Sequence, residues 1–282
     1  MKHVLITGAG SYIGGRLLSH LLQTTEWDVK ELDVQQPFAE SDFAGWDAVV
    51  HVAGLAHQKE TAKNAPLYRQ VNRDLALRVA GMAKSQGVTQ LVFLSSMSVY
   101  GLTHGRITAA TPLAPNTHYG QSKLEAEEGL QRLADEAFRV AVLRPPMVYG
   151  PGCRGNYPRL SALARSFSLF PKVKNERSML YVENLCAFIR RLLESGEGGL
   201  FFPQNEQYVC TSALVRQIAR CHGRRVLLAP GFGWLIRLLE KRVNAIDKLF
   251  GTLTYDQALS VAFADEPQIG FEESVRCTEV GL

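Results

Sequence analysis

Several protein classes are excluded by what the sequence lacks. Its five cysteines (Cys153, Cys186, Cys210, Cys221 and Cys277) are odd in number and none forms a Cys-x-x-Cys pair. A disulfide framework and a structural zinc site therefore find no support, and no metal is expected. No apolar run approaches the roughly 20 residues that a membrane-crossing helix needs. The chain opens Met1-Lys2-His3-Val4-Leu5-Ile6-Thr7-Gly8, without a cleavage-site pattern, so no secretory signal is expected and a cytoplasmic setting fits best. There is no internal repeat and no low-complexity tract. A charge excess is missing too: 31 Lys+Arg against 27 Asp+Glu gives +4, too little to suggest nucleic-acid binding. With 46% hydrophobic and 21% charged residues the 282-residue chain is not mainly disordered, and it is long enough for one large domain or two units.

The small surplus is unevenly placed. Residues 1–150 carry 14 basic and 14 acidic side chains; residues 151–282 carry 17 and 13. Arg154, Arg159, Arg165, Lys172, Lys174 and Arg177 face only Glu176 in sequence. That run is either a solvated face or a site for a small polyanion.

The first half alternates strand and helix patterns. Val4–Ile6, Val29–Val34, Asp47–Ala53, Leu91–Ser95 and Val140–Leu143 read as strands. Ile13–Leu22, Leu67–Gln86 and Tyr119–Ala134 have helical apolar spacing. This alternation predicts an α/β fold with a doubly wound parallel sheet covered on both faces. Gln35–Trp46 is too short for a helix plus a strand, so one crossover is abbreviated. The pattern breaks at Arg144-Pro145-Pro146. We divide the chain into a dinucleotide-binding part, 1–150 with 176–203 returning to it, and a small discontinuous substrate-binding part, 151–175 and 204–282. Thr211–Cys221 reads as a helix capped by Thr211 or Ser212. Phe232–Phe250 is apolar and basic on a helical period and is expected to pack on the small part rather than lie on a membrane.

Thr7-Gly8-Ala9-Gly10-Ser11-Tyr12-Ile13-Gly14 ends the first strand and opens the first helix. Glycines let backbone approach a diphosphate whose charge the helix N-terminus meets. Asp33 lies 25 residues after Gly8, at the end of the second strand. A carboxylate there accepts hydrogen bonds from a ribose and repels a 2′-phosphate, so NAD is expected over NADP. Tyr119-Gly120-Gln121-Ser122-Lys123 places a phenol and an ammonium on one face of a helix. The ammonium is expected to lower the phenol's pKa, so that tyrosine exchanges a proton with a sugar hydroxyl or ketone. Leu94-Ser95-Ser96-Met97-Ser98-Val99-Tyr100-Gly101 lies at a strand's C-terminal end, where ligands of open α/β sheets bind.

These segments together resemble the extended short-chain dehydrogenase/reductase family, the NAD-dependent epimerase/dehydratase group acting on nucleotide sugars. The family's loop is T-G-x-x-G-x-x-G; here Ser11 stands at the middle glycine and Gly10 lies one place earlier. The resemblance implies that Gly8, Gly10, Ser11, Tyr12, Ile13, Gly14 and Asp33 hold NAD. It adds Ala53, Gly54 and Leu55 of His51-Val52-Ala53-Gly54-Leu55, Asn72 in the next helix, Pro146, and Tyr119 and Lys123 themselves. Asp42 and Phe43 are adenine contacts on the same basis. Ser96 carries over as the hydroxyl on the reacting oxygen, Tyr119 and Lys123 as its catalytic partners, and Ser98 as a substrate contact. His57 is either near the site or an ordinary loop histidine. The family's dehydratases place Asp-Glu where Met97 and Ser98 stand, which argues against dehydration.

Leu143-Arg144-Pro145-Pro146-Met147-Val148-Tyr149-Gly150-Pro151-Gly152 resembles the family's segment over the nicotinamide. Many epimerases carry asparagine where Met147 stands; the R-P-P-x-V-Y-G-P-G form followed by Gly155-Asn156 looks more like ketoreductases of UDP-linked deoxyhexoses. Asn156 and Arg177 then carry over as nucleotide-sugar contacts, the guanidinium on the diphosphate. Asn184 replaces the family's usual aspartate. The expected activity is NAD-dependent reduction of a UDP-4-keto-hexose, with UDP-hexose 4-epimerisation as the close alternative and a non-catalytic NAD-sensing regulator as the remote one. The family also pairs helices 67–86 and 119–134 into a homodimer. Leu75, Val79, Met82, Leu124 and Leu130 exceed what one sheet face can cover, so such a dimer is expected here.

Overall fold

The structure, a computed structural model, describes residues 1–56, 58, 60–231 and 250–281. His57 and residues 232–249 lie outside the described residues. In chain order the first elements are β1 (His3–Thr7), α1 (Tyr12–Thr24), β2 (Asp28–Leu32), β3 (Ala48–His51), α2 (Ala65–Arg69), α3 (Leu75–Ser85), β4 (Gln90–Leu94), β5 (Gly105–Ile107), α4 (His118–Leu133) and β6 (Arg139–Leu143). There follow β7 (Met147–Tyr149), α5 (Asn156–Ser166), β8 (Leu169–Pro171), β9 (Met179–Tyr181), α6 (Val182–Ser195), β10 (Gly199–Phe201), α7 (Thr211–Cys221), β11 (Leu227–Ala229), β12 (Leu253–Tyr255) and a last helix, α8 (Phe271–Val280).

The central sheet is six-stranded and parallel, in the order β10-β6-β4-β3-β1-β2. Its inner strands are apolar throughout because both faces are covered. Side chains alternate between two cores. Val4 and Ile6 face the core shared with Leu17, Leu21, Leu185 and Ile189 of α1 and α6. Leu5 faces the core shared with Val79 and Ala83 of α3 and Ala126 and Leu130 of α4. The chain leaves β1 toward β2 on one side and returns to β3 on the other, which puts the β1–α1 turn at the switch point of the sheet. The abbreviated crossover between β2 and β3 contains one 3-10 turn, Glu40–Phe43.

Outside the central sheet the described residues form three two-stranded parallel sheets: β7 with β9, β5 with β12, and β8 with β11. Helices α5, α7 and α8 pack on one another there, over a core continuous with that of α1 and α6. Helix α7 spans the expected residues, but its N-cap is Cys210. The hydroxyls of Thr211 and Ser212 are engaged elsewhere: Asn175 Nδ2 donates to Thr211 Oγ1 at 2.9 Å and Val173 N to Ser212 Oγ at 2.8 Å. Asn184 bridges to the C-terminal segment, its Oδ1 accepting from Ile269 N at 2.9 Å.

Val79, Leu124 and Leu130 are buried inside this chain, and Leu75 and Met82 are partly buried against the same core. Helices α3 and α4 cover each other, with Leu77 filling the space above Gly129. Glu125 of α4 pairs with Arg69 at the end of α2 at 3.1 Å and with Arg73, just before α3, at 3.0 Å.

Candidate active site

The glycine turn is built by three local requirements. Gly8 has φ +116°, and a Cβ on it would lie 2.8 Å from the Ala53 nitrogen, so only glycine lets β1 and the Ala53 segment meet. Gly10 takes the second left-handed position, φ +71°. Ser11 has ordinary extended backbone and is the N-cap of α1, its Oγ accepting from Gly14 N at 3.1 Å. This explains why serine can stand at the family's middle glycine: the positive φ has moved to Gly10. Tyr12 and Ile13 open α1, where first-turn amides have no acceptor within the helix. Amides at a helix N-terminus beside a glycine turn fit a dinucleotide diphosphate. Asp33 follows β2 directly, half-buried, with Oδ1 accepting from Gln35 N at 2.9 Å.

Asn72 has a different task from direct contact with a cofactor. It is fully buried, its Oδ1 accepts from Leu55 N at 2.7 Å, and its Nδ2 donates to Leu55 O at 3.2 Å and to Ser122 Oγ at 3.0 Å. Its amide thus fixes the Ala53-Gly54-Leu55 segment. It does so from a π-turn, Gln70–Asp74, between α2 and α3. Phe43 also departs from expectation. It is fully buried in the α3/α4 core, edge-on to Phe38, so its ring is no adenine contact. Asp42 is exposed and accepts from Ala39 N at 2.8 Å, closing its own turn.

Ser96 ends β4's loop into a 3-10 turn and accepts from Ser98 N at 3.1 Å. Its hydroxyl also donates to Ser98 Oγ at 3.1 Å and lies beside the Tyr119 phenol. The approach of α4 to this loop depends on Gly120, where a Cβ would lie 2.5 Å from the Ser98 carbonyl oxygen. The helix is capped by Thr117 Oγ1, which accepts from Gly120 N at 3.0 Å. Glu60 adds a second cap, accepting from His118 N at 2.8 Å and Tyr119 N at 3.2 Å.

Lys123 lies one turn further, 4% exposed. Its Nζ donates to Leu94 O at 2.8 Å and rests 4.7 Å from the Phe93 ring centroid. It also lies beneath Gly54, where a Cβ would be 3.2 Å from Nζ. Burial lowers its pKa from 10.5 to about 8, opposed by the Glu127 carboxylate. Burial and the nearby ammonium also lower His51, to about 3, so His51 is neutral. The Tyr119 phenol is raised above its ordinary value by burial, with the Ser96 hydrogen bond opposing. The expected lowering by Lys123 is therefore absent here. The ammonium is engaged by the Leu94 carbonyl, and desolvation decides the sign.

Glu127, a further turn along α4, was not singled out from the sequence, although Tyr119, Lys123 and Glu127 recur at intervals of four. It pairs with Arg144, whose Nη2 donates at 2.5 Å and Nε at 3.1 Å, and it accepts a hydrogen bond from Ser95 Oγ. Arg144 Nη1 donates to Tyr100 Oη at 2.9 Å, and Tyr255 Oη to Arg144 O at 2.8 Å. Pro146 is buried beyond β6, and neighbouring Pro145 accepts from Met97 N at 3.0 Å.

Met147, Asn156, Leu160, Arg177, Met179 and Thr211 are among the residues lining one shallow cleft. Asn156 and Arg177, 21 positions apart, thus reach one space, and Arg177 Nη1 donates to Gly251 O at 2.8 Å. Among the described residues no group of three or more His, Cys, Asp or Glu could hold a metal, and no helix is long and apolar enough to cross a membrane.

A doubly wound parallel sheet with a glycine turn at its switch point and a Ser-Tyr-Lys set at the strand ends defines a Rossmann-type oxidoreductase. The chain belongs to the NAD-dependent epimerase/dehydratase family, whose model matches residues 4–209. It is similar to a UDP-glucose 4-epimerase of Vibrio cholerae, 29% identical over 90% of this chain and 87% of that one. It is also similar to a GDP-6-deoxy-D-mannose reductase of Pseudomonas aeruginosa, 27% identical over 71% of this chain and 73% of that one. The fold matches a UDP-glucuronic acid 4-epimerase from Bacillus cereus in complex with NAD, with a TM-score of 0.79 at 16% identity, covering 99% and 96% of the two chains.

Proposed function

We propose that this chain moves hydride at carbon 4 of a nucleotide-linked hexose, and that its direction is reduction of a UDP-4-keto-hexose. The observation that carries the reading is Tyr119 and Lys123 one turn apart on α4, with the Ser96 hydroxyl beside the phenol and Lys123 beneath Gly54. That arrangement fits a carbonyl oxygen gripped by two hydroxyls. The Tyr119 phenol, held protonated by burial, gives its proton to the oxygen; Ser96 donates a hydrogen bond to the same oxygen and orients it. NAD, when bound, supplies or takes up the hydride. The Gly8–Gly14 turn and the α1 N-terminus would hold its diphosphate, and Asp33 its adenosine ribose. Lys123 would lie on the nicotinamide side, below the backbone that Asn72 fixes. The cleft of Asn156 and Arg177 fits the nucleotide diphosphate of the substrate, with the guanidinium on its charge.

Met147 in that cleft, apolar where many epimerases carry asparagine, favours the reductase. The 4-epimerase reading is favoured by the likeness to the Vibrio enzyme over nine-tenths of the chain. Turnover separates them. A reductase oxidises one NADH per UDP-4-keto-hexose consumed; an epimerase interconverts UDP-hexoses with no added NADH and retains NAD through purification. The second result overturns the reductase reading, and neither activity across a panel of UDP- and dTDP-sugars overturns both.

A further inference from the structure

We propose that the face formed by α5–β8 and α7–β11 docks on an anionic lipid bilayer. The pair β8–β11 is two-sided, with Leu169 opposite Leu227 and Phe170 opposite Leu228. Phe170 and Val226 turn inward and join the main core. On the other side Leu169 is 57% and Leu227 70% exposed. Phe167, in extended backbone two residues before Leu169, is 56% exposed on the same side by the strand's alternation. Three large apolar side chains thus stand outside the core on one side of this strand pair.

The charges carried by these elements and their flanking turns are of one sign. Residues 154–175 and 209–231 contain Arg154, Arg159, Arg165, Lys172, Lys174, Arg216, Arg220, Arg224 and Arg225, and neither stretch contains Asp or Glu. All nine are exposed, and none makes an ion pair with a described residue. Elsewhere Arg16, Arg69, Arg73, Arg144, Arg190 and Arg191 each face a carboxylate. Among the described residues a buried carboxylate reaches these elements from Glu279 of α8. Its Oε2 is taken by His222 Nε2 at 2.7 Å and by Ser161 Oγ at 2.8 Å, so it leaves the exposed cations unmatched.

An apolar cluster on elements whose exposed charges are cations without a described acidic partner is complementary to an interface that offers acyl chains below and negative headgroups above. Nucleic acid would use the cations and leave the leucines without a partner. A second copy placed symmetrically would set like charges against like. The cleft of Asn156 and Arg177 belongs to the same unit through α5 and α7, so docking carries it to the lipid surface.

The test is sedimentation of the full chain with vesicles of phosphatidylcholine alone or with 30% phosphatidylglycerol. The expected result is pelleting only with the anionic vesicles, weakened by salt. Leu169→Glu/Leu227→Glu and, separately, Arg224→Glu/Arg225→Glu should each lower the partition coefficient at least about tenfold. NAD binding and the thermal midpoint of each variant, unchanged, show that the fold is intact. Wild-type protein that stays in the supernatant overturns the proposal. So does pelleting indifferent to lipid charge or to both double variants. Duplex DNA binding that survives Leu169→Glu/Leu227→Glu, without vesicle binding, reassigns the face to nucleic acid. A concentration-dependent dimer dissolved by the same variant, again without vesicle binding, assigns it to a second copy.

Discussion

Tyr119 carries the proton in the proposed reaction, and its environment makes the consequence specific. Tyr119→Phe keeps the ring and its packing, so kcat should fall by roughly 10²–10⁴ with the thermal midpoint unchanged; loss confined to KM would count against the role. Lys123 gives the opposite pairing of activity and stability. Its pKa of about 8 lies below the ordinary 10.5, so the unfolded chain binds more protons across that window. The sign follows: stability rises as pH climbs from about 8 to 10.5, and the full cost, about 3 kcal/mol, is present at pH 7. Lys123→Met should therefore lose turnover and yet raise the midpoint at pH 7, by ~2–4 °C for each kcal/mol recovered. A lower midpoint in calorimetry would show that the Leu94 hydrogen bond outweighs desolvation. Asp33→Ser should narrow the preference for NAD over NADP, read from titrations of both cofactors side by side.

At the scale of elements, the site depends on how closely three backbones approach. Helix α4 reaches the Ser96 loop because position 120 has no side chain; the Ser98 carbonyl oxygen would lie 2.5 Å from a Cβ. Gly120→Ala must shift the helix start or the loop by several tenths of an ångström, which separates Tyr119 from Ser96. The expected outcome is a fall in kcat of about ten- to a hundredfold with cofactor affinity kept, measured by NADH oxidation and by direct NAD titration. Gly8→Ala should do the reverse, since its clash is with the Ala53 nitrogen and its φ is +116°: NAD affinity goes first. Positions of this kind were legible in part. The strand–turn–helix context around Gly8, Gly10 and Gly14 was readable because glycine spacing and apolar runs are local signals. That Ser11 caps α1, that Cys210 rather than Thr211 or Ser212 caps α7, and that Phe43 turns into the core were not. Each depends on which neighbour, distant in sequence, competes for the side chain.

Across the whole molecule, the buried Glu127–Arg144 pair ties α4 to the ends of β4 and β6 and, through Tyr255, to β12. Removing one member leaves the other's charge buried. Glu127→Gln should cost about 3–5 kcal/mol in denaturant unfolding, whereas Glu127→Leu/Arg144→Met should recover most of it. A small cost for the single variant would mean that water or Tyr100 takes up the Arg144 charge.

What the sequence determined by itself was whatever a single stretch can encode. The alternation of strand and helix, the glycine turn, Asp33 after the second strand, and the Ser96 and Tyr119–Lys123 motifs are of that kind, because period, φ and spacing are properties of neighbours in the chain. What only the tertiary structure decided was direction. Packing turned Phe43 and Asn72 inward, the one as core and the other as a brace for the Ala53–Leu55 segment. It covered Val79, Leu124 and Leu130 with this chain's own helices, so those three side chains do not by themselves call for a second copy. It gave Lys123 to the Leu94 carbonyl and raised the Tyr119 phenol by burial instead of lowering it. A side chain's partners and its desolvation are set by elements far away in sequence, and no local pattern carries them.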